Sequence, residues 1–183
     1  MTFESEDDLR RWLHGHGIDT STWVKSVRDL WKEYVNGETV FDDDPPARAT
    51  SVVRVLIRHG GRVLFEVGQE FDGGERRTRN ALPSEKMKPG ETVGQAALRC
   101  VREELGVAVG EEAARPDETP TVKVESSPSY PGLPTRYTFY ECEVDVPGLP
   151  DGPFPTREEG DAVRLHHWEW RPENTVRKDL DHR

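Results

Sequence analysis

Apolar residues near the start of the chain recur at the spacing of an amphipathic helix. Between positions 5 and 36, aromatic and aliphatic side chains repeat every three or four residues, which places them on one helix face. The repeat consists of Trp23, Val27, Leu30, Trp31 and Tyr34. We expect this face to pack onto the rest of the protein; a dimer contact and a cover for a substrate pocket are the alternatives.

After position 50 the pattern changes to that of β-strands. The run SVVRVLIRHGGRVLFEVG predicts a hairpin whose turn is Gly60-Gly61, because glycine tolerates the positive φ angles of tight turns. RRTRNALPSEKM predicts a short strand that ends at Pro83. Three later segments, TVKVESS, RYTFYECEVDV and VRLHHWEW, also have strand character.

One helix interrupts these strands. Thr92 and Gln95 form a capping-box pattern, so we expect the helix to begin at Thr92 and to run to about Leu105, with Gly106 just past its end. Its apolar stripe is Val93, Ala97, Val101 and Leu105, whereas Arg99, Arg102 and Glu103 are expected to point away from that stripe. Strands around a central helix predict an α+β fold rather than a helix bundle.

The chain is expected to have three parts. Residues 1–40 form an N-terminal helical extension, and residues 51–183 form the main domain. Between them FDDDPPARAT, residues 41–50, combines like charges with two prolines, which predicts an extended linker.

Composition narrows the range of functions. A net charge of −10 over 183 residues argues against nonspecific nucleic-acid binding, which requires clustered Lys and Arg. The N-terminus lacks the features of a signal peptide, and no apolar run is long enough to span a membrane, so we expect no membrane association. Two isolated cysteines, Cys100 and Cys142, do not make a disulfide framework, although one bridge between them stays open. A reducing cytoplasm fits this composition best.

Three polar side chains of the central helix share one neighbourhood. Positions 100, 103 and 104 are three and four residues apart, so Cys100, Glu103 and Glu104 lie close together on the helix. Adjacent carboxylates repel each other, and a hard divalent cation such as Mg²⁺ would satisfy them with open positions left for phosphate. The alternative is a solvated acidic surface with ordinary Arg–Glu pairs.

The segment from Leu82 to Val107 resembles the Nudix box. Its matching positions are Glu91, Arg99, Val101, Glu103, Glu104, Gly106 and Val107. The resemblance implies a Nudix-type α/β/α sandwich with a mixed β-sheet, in which Glu91, Arg99 and Gly106 maintain the box. It also implies hydrolysis of a phosphoanhydride bond in a nucleoside diphosphate-linked or related small molecule. Mg²⁺ or Mn²⁺ would be held by Glu103, Glu104 and the backbone carbonyl of Ser84.

Two positions depart from the box. Ser84 and Glu85 replace paired glycines, and Cys100 replaces a glutamate that helps to hold metal or activate water in the family. Cys100 is therefore an inert buried residue, a position compensated by Glu85, or a thiol with its own acid, base or nucleophilic role. The departure also keeps open a noncatalytic or non-hydrolytic Nudix-fold protein, either a ligand-binding module or a biosynthetic enzyme that reuses the diphosphate pocket.

The resemblance implies one further carboxylate from a loop before a late strand. Glu158 and Glu159 stand in that place, and Asp161 is a lesser candidate. The pair His166-His167 follows them, but neighbours on a strand face opposite sides, so the two rings are not expected to bind one ion together. We expect one packed and one exposed histidine.

Five residues are candidates for binding the substrate. Arg76, Arg77 and Arg79 are candidates for binding phosphate, with solvated surface arginines as the alternative. Tyr130 and Tyr137 are candidates for stacking on a base or covering an apolar tail. The expected partner is a small-molecule diphosphate, and a homodimer stays open.

Overall fold

The computed structural model describes residues 1–71, 73–158 and 163–174. The helices are α1 (Glu6–Gly15), α2 (Val27–Val35) and α3 (Val93–Leu105), with a 3-10 helix at Glu111–Ala113. The strands are β1 (Val40–Asp43), β2 (Pro46–Leu56), β3 (Arg58–His59), β4 (Arg62–Phe71), β5 (Arg76–Ala81), β6 (Ser84–Lys86), β7 (Ala114–Ser126), β8 (Pro134–Val144), β9 (Phe154–Arg157) and β10 (Val163–Pro172). No helix within the described ranges is long and apolar enough to cross a membrane.

Within the described residues the strands form two five-stranded sheets. One has the order β1-β2-β8-β7 with β6 paired to β2, and the other has the order β3-β4-β10-β9 with β5 paired to β4. The expected hairpin is present, because Arg58 pairs with Val63 and His59 with Arg62 around Gly60 and Gly61. The expected α+β class is confirmed.

The chain divides into two compact units. The first consists of Met1–Val52, Lys86–Glu91 and Thr119–Phe139. The second consists of Val53–Glu85, Thr92–Glu118 and the chain from Tyr140 onward. The boundaries expected at residues 40 and 50 stay a prediction.

Two helices occupy the N-terminal region for which the sequence predicts helical structure throughout. The side chain of Ser5 accepts the Asp8 N–H and caps α1, while Ser26 and Asp29 form a reciprocal capping box at the start of α2. Gly17 has a φ of 68°, which ends the first helix because few other residues adopt that angle. Residues 16–26 therefore form a connection.

The first unit has an aromatic core. Its buried members are Phe3, Leu9, Trp12, Leu13, Val27, Leu30, Phe41, Tyr130 and Leu133, and Ile18, Trp23, Trp31 and Tyr34 pack against them. Phe3 meets the ring of Phe41 edge to face at 5.2 Å. The apolar face of the N-terminal region thus packs inside the protein, as expected.

Residues 41–50 are extended, but they are paired rather than free. β1 and β2 are antiparallel from Val40 opposite Ala49 to Asp43 opposite Pro46. Phe41 and Arg48 are buried. Pro45 lies in the turn and Pro46 at the start of a strand, two positions where proline does not cost a ladder hydrogen bond. The segment predicted as a linker is therefore a hairpin.

A buried ionic network lies in the first unit and centres on Glu33. Its carboxylate accepts hydrogen bonds from the Arg48 guanidinium at 3.0 Å and the Tyr130 hydroxyl at 2.9 Å, and the Lys86 ammonium lies 2.6 Å away. Arg48 also donates to the Tyr137 hydroxyl at 3.1 Å. Arg48 is 2% exposed and Glu33 is 6% exposed, so both charges of this pair are buried.

In the second unit, β4 lies between β5 and β10, and α3 supplies the helical layer. Thr92 and Gln95 cap each other's backbone N–H groups, and Gly106 ends α3 with a φ of 70°. These helix limits confirm the sequence prediction. The apolar stripe is buried or nearly so, and so are three polar residues, Arg99, Cys100 and Glu104.

Candidate metal and catalytic site

Arg99 is buried, although the helical pattern predicts that it points away from the core. Its guanidinium Nη1 lies 3.5 Å from a carboxylate oxygen of Glu85 and 3.3 Å from one of Glu103. A long side chain can cover its own helix and reach a neighbouring strand, which spacing along one helix does not reveal. Arg99 therefore connects β6 with the acidic end of α3.

Glu104 is a buried carboxylate held in a crowded position. Burial raises the pKa of Glu104 well above its usual range, and the charges of Glu66, Glu85 and Glu158 raise it further, while His166 opposes them. These groups come from four separate segments of the second unit. The arrangement favours a proton or another cation at Glu104.

The backbone beside Glu104 is fixed by a short hydrogen-bond chain. The Thr156 hydroxyl donates to the Glu104 carbonyl at 2.5 Å, and the Trp168 indole N–H donates to the Thr156 hydroxyl at 2.6 Å. β9 and β10 thus fix the last turn of α3. The position of the Glu104 carboxylate depends on strands distant in sequence.

Cys100 is fully buried and keeps its proton. Burial raises the pKa of the Cys100 thiol well above its ordinary value, and the charges of Glu104 and Glu85 add to that effect. A thiolate nucleophile needs the opposite environment, so the thiol chemistry considered from sequence is disfavoured. The hypothesis that Glu85 compensates for the missing carboxylate stays a prediction.

His166 joins two carboxylates that sequence analysis did not combine. Its Nδ1 lies 2.7 Å from Glu66 on β4 and its Nε2 lies 2.8 Å from Glu158. The ring stacks on Trp168 with an angle of 15° between the planes. Burial alone would lower the pKa of His166, but the hydrogen bonds to Glu158 and Glu66 raise it to about 10.

Glu66 has a second cationic partner. Arg79 approaches its other oxygen at 2.9 Å. Burial by itself would raise the pKa of Glu66, yet the hydrogen bond from His166 and the charge of Arg79 together lower it. Sequence reasoning missed Glu66; the available signal was a glutamate inside the apolar run RVLFEVG, where a solvated charge does not fit.

We call the carboxylates assembled here the acidic cluster: Glu66, Glu85, Glu103, Glu104 and Glu158. Its cationic partners are Arg79, Arg99 and His166. Within the described ranges no three His, Cys, Asp or Glu side chains form a ready-made metal site. The donor chemistry nevertheless fits Mg²⁺ or Mn²⁺, since Mg²⁺ is commonly held by one or two carboxylates together with substrate phosphates.

Other residues predicted for the box have separate local roles. Gly106 is the helix end, and Glu91 accepts the Lys88 backbone N–H at 2.7 Å. Ser84 begins β6 and is half-buried. Glu159 and Asp161 lie outside the described residues, whereas Glu158 belongs to the acidic cluster.

The three candidate arginines separate into two groups. Arg76 and Arg77 line a cleft of about 460 Å³ together with Phe154, whereas Arg79 is the partner of Glu66 in the acidic cluster. Burial lowers the pKa of Arg77 and the charge of Arg79 lowers it further. The Arg77 Nε has no hydrogen-bond partner among the described residues. Arg76 and Arg77 therefore remain candidates for binding an anion.

Tyr130 and Tyr137 do not present their rings to a ligand. Tyr130 has no exposed surface and Tyr137 is buried, and both belong to the ionic network of the first unit. Their predicted stacking role does not fit these positions. A tyrosine in a proline-rich loop is often exposed, but here its hydroxyl has an internal partner.

The two adjacent histidines behave as expected from strand alternation. His166 is buried in the acidic cluster, whereas the His167 side chain is 40% exposed and lies 2.9 Å from Glu70. They do not share a ligand. The expectation of one packed and one exposed histidine is confirmed.

The profile of the NUDIX domain matches residues 45–183. A comparison with curated proteins gave no match. Among solved structures, a NUDIX hydrolase from Nitrosomonas europaea is similar, with 20% identity over 72% of this chain and 77% of that chain and a TM-score of 0.42. The E. coli dihydroneopterin triphosphate pyrophosphohydrolase shares 20% identity over 69% and 82%, with a TM-score of 0.43. A C. elegans Ap4A hydrolase shares 18% over 72% and 85%, with a TM-score of 0.39.

Proposed function

We propose, since the chain belongs to the NUDIX family, that it hydrolyses a phosphoanhydride bond in a nucleoside diphosphate-linked or related small molecule. One observation carries the proposal: Glu104 is buried among other carboxylates. Groups with strongly perturbed pKa values gather at catalytic sites, where burial and like charges adjust acids and bases to their task, and burial raises the pKa of Glu104 in this way. A cytoplasmic location is part of the proposal, since both cysteines are free thiols.

Residues of α3 and β6 supply the oxygen donors of the proposed cation site. Glu103 and Glu104 would hold Mg²⁺ or Mn²⁺, with the Ser84 carbonyl as a further oxygen donor, and Glu85 would stand in for the carboxylate absent at Cys100. When bound, the cation polarises phosphoryl oxygens and makes a water more acidic. Arg99 keeps Glu85 and Glu103 oriented through its two contacts.

The remaining steps belong to the protein's own side chains. A carboxylate of the acidic cluster accepts the proton of the attacking water, which is general-base catalysis. Arg76 and Arg77 bind an anionic part of the substrate at the cleft that they line. The substrate is a small anion, consistent with a chain whose own net charge disfavours nonspecific binding of nucleic acid.

A second candidate function is a ligand-binding or non-hydrolytic NUDIX protein. The buried, protonated Cys100 favours it, because a thiol is a weaker ligand for Mg²⁺ than the carboxylate it replaces. The diphosphate pocket would then be retained without hydrolysis.

The test measures phosphate and nucleotide release from nucleoside, dinucleoside, sugar-nucleotide and prenyl diphosphates with Mg²⁺ or Mn²⁺. Glu104→Gln replaces a carboxyl group with an amide of similar volume that cannot ionise, and Glu118→Gln makes the same change at an exposed position of β7 as the control. We expect turnover in the wild type and the control, and loss of at least about 100-fold in Glu104→Gln, the scale of one strong charge interaction at a reaction centre.

Cys100→Glu separates the two candidate functions. A silent wild type with an active Cys100→Glu variant would identify a binding or non-hydrolytic protein whose pocket can be restored. Turnover that survives Glu104→Gln unchanged would contradict the assignment of the acidic cluster as the reaction centre.

A further inference from the structure

Glu158 is fixed in place although it directly follows a strand end. Its backbone N–H donates to the Arg164 carbonyl at 3.3 Å, and its carboxylate Oε2 is bound by His166. The Glu158 side chain is only 12% exposed. Ordering a glutamate side chain at a strand end costs conformational entropy. The hydrogen bonds that hold Glu158 offset that cost.

His166 is well suited to fix that carboxylate. An ionised carboxylate can only accept hydrogen bonds, so contacts of 2.7 Å and 2.8 Å on the two ring nitrogens make His166 a double donor. Glu66 sets the orientation of the ring from β4, and Arg79 in turn holds Glu66. The ring has little freedom to rotate because Trp168 stacks against it.

Glu66 and Glu158 differ in their remaining capacity to bind a ligand. Arg79 and His166 take different oxygens of Glu66, so both of its oxygens already have a cationic partner. His166 takes only Oε2 of Glu158, which leaves the carboxylate a second oxygen outside that contact. Two residues before Glu158, the Thr156 hydroxyl donates to the Glu104 carbonyl at 2.5 Å, so the strand end that leads to Glu158 contacts α3 at Glu104.

We propose that His166 is a positioning residue: it holds Glu158, the loop carboxylate that the resemblance implies, toward Glu104 at the cation site of α3. This inference rests on the proposed function, because it assigns a positioning residue to the same site. A side chain that hydrogen-bonds to a metal ligand orients that ligand, and its removal typically changes metal affinity by about 10- to 100-fold.

The experiment is a double-mutant cycle read by Mn²⁺ binding to the full chain, without substrate, using electron paramagnetic resonance of free Mn²⁺. We expect His166→Ala and Glu158→Gln each to weaken Mn²⁺ binding by about 10- to 100-fold. The double variant should bind no more weakly than the weaker single variant, because His166 acts through Glu158. His167→Ala is the matched control: it removes the neighbouring imidazole on the opposite strand face and should leave Mn²⁺ affinity unchanged.

A conservative variant guards against loss of the fold. His166→Gln keeps a side-chain N–H donor and should recover part of the affinity that His166→Ala loses; circular dichroism establishes that each variant is folded. Unchanged affinity in folded His166→Ala or in folded Glu158→Gln would overturn the proposal, and so would a His166→Gln variant that binds Mn²⁺ more weakly than folded His166→Ala. So would additive losses in the double variant, or no measurable Mn²⁺ binding by the wild type.

The same data distinguish this inference from the proposed function. Coupled losses of Mn²⁺ affinity in a protein that hydrolyses no diphosphate would support the positioning role and contradict hydrolysis. Hydrolysis that requires Glu104 but shows no coupling between His166 and Glu158 would support the function and remove the positioning role.

Discussion

Replacing Glu33 with alanine is expected to destabilise the protein by about 3–5 kcal/mol. The change leaves the Arg48 guanidinium, 2% exposed, without the carboxylate that lies 3.0 Å from it. The penalty comes mainly from a buried charge that has lost its partner rather than from the attraction itself. Lys86 adds little to this figure, because its side chain is 24% exposed and can regain water.

Urea unfolding, monitored by far-UV circular dichroism, measures how much Glu33→Ala destabilises the protein. The change in free energy of unfolding is obtained from the shift in midpoint at an unchanged slope. Glu6→Ala is the control, since it breaks an exposed pair with Arg10 one helical turn away and should cost no more than about 0.5 kcal/mol.

A double substitution tests the physical reasoning behind that magnitude. Glu33→Leu combined with Arg48→Met removes both charges and keeps apolar volume, so it should be much less destabilising than Glu33→Ala. A loss below about 1 kcal/mol in Glu33→Ala would refute the reasoning, and so would a double variant as unstable as the single one.

The remaining predictions concern two glycines at or in α3 and the two cysteines. Gly106→Ala should lower the free energy of unfolding, measured in urea, by about 1–2 kcal/mol. Residue 106 has a φ of 70° and nothing crowds a Cβ there, so backbone strain is the whole cause. Gly94→Ala, inside α3 and also uncrowded, should instead stabilise by about 0.4–1 kcal/mol; equal effects at both positions would contradict this account. In labelling with iodoacetamide at pH 7, Cys100 and Cys142 should react slowly in the folded protein and rapidly in urea, since both are buried and burial raises both pKa values. Rapid labelling of folded Cys100 would show an accessible thiolate.

Residues at the two ends of α3 predicted its limits closely. Its start depends on Thr92 and Gln95, and its end on Gly106, all within a few residues of the positions they determine. The Gly60-Gly61 turn was predictable for the same reason. Where a structure is determined by neighbouring residues, one sequence contains the necessary information.

Pairing between distant segments was not predictable in the same way. The prolines and aspartates of residues 41–50 indicated a linker, yet β1 and β2 pair there and bury Phe41. Tyr130 was assigned to a ligand surface because nothing in its own loop reveals Glu33 as a partner 97 residues away. These outcomes are decided by tertiary contacts, which override local preference.

The residues of the candidate site divide in the same way into those that local sequence predicted and those that distant segments bring together. Helix spacing and the box predicted Glu103, Glu104 and Cys100 as site residues. Glu66 and His166, in contrast, are 100 residues apart and come together through the pairing of β4 with β10. Glu158 was one of two adjacent candidates, and only its contact with His166 distinguishes it from a solvated loop residue.

The distance in sequence between the carboxylates and His166 also affects synthesis of the chain. Glu66, Glu85 and Glu104 leave the ribosome before His166, the last by 62 residues, from position 104 to position 166. At 5–20 residues per second, that interval is roughly 3–12 s. During it, the nascent chain carries Glu66 without the imidazole that lies 2.7 Å from it in the finished fold. Arrival of β10 is therefore a late step in assembling the site, and a ribosome that pauses before codon 166 would hold the chain with its acidic residues present and this cation absent.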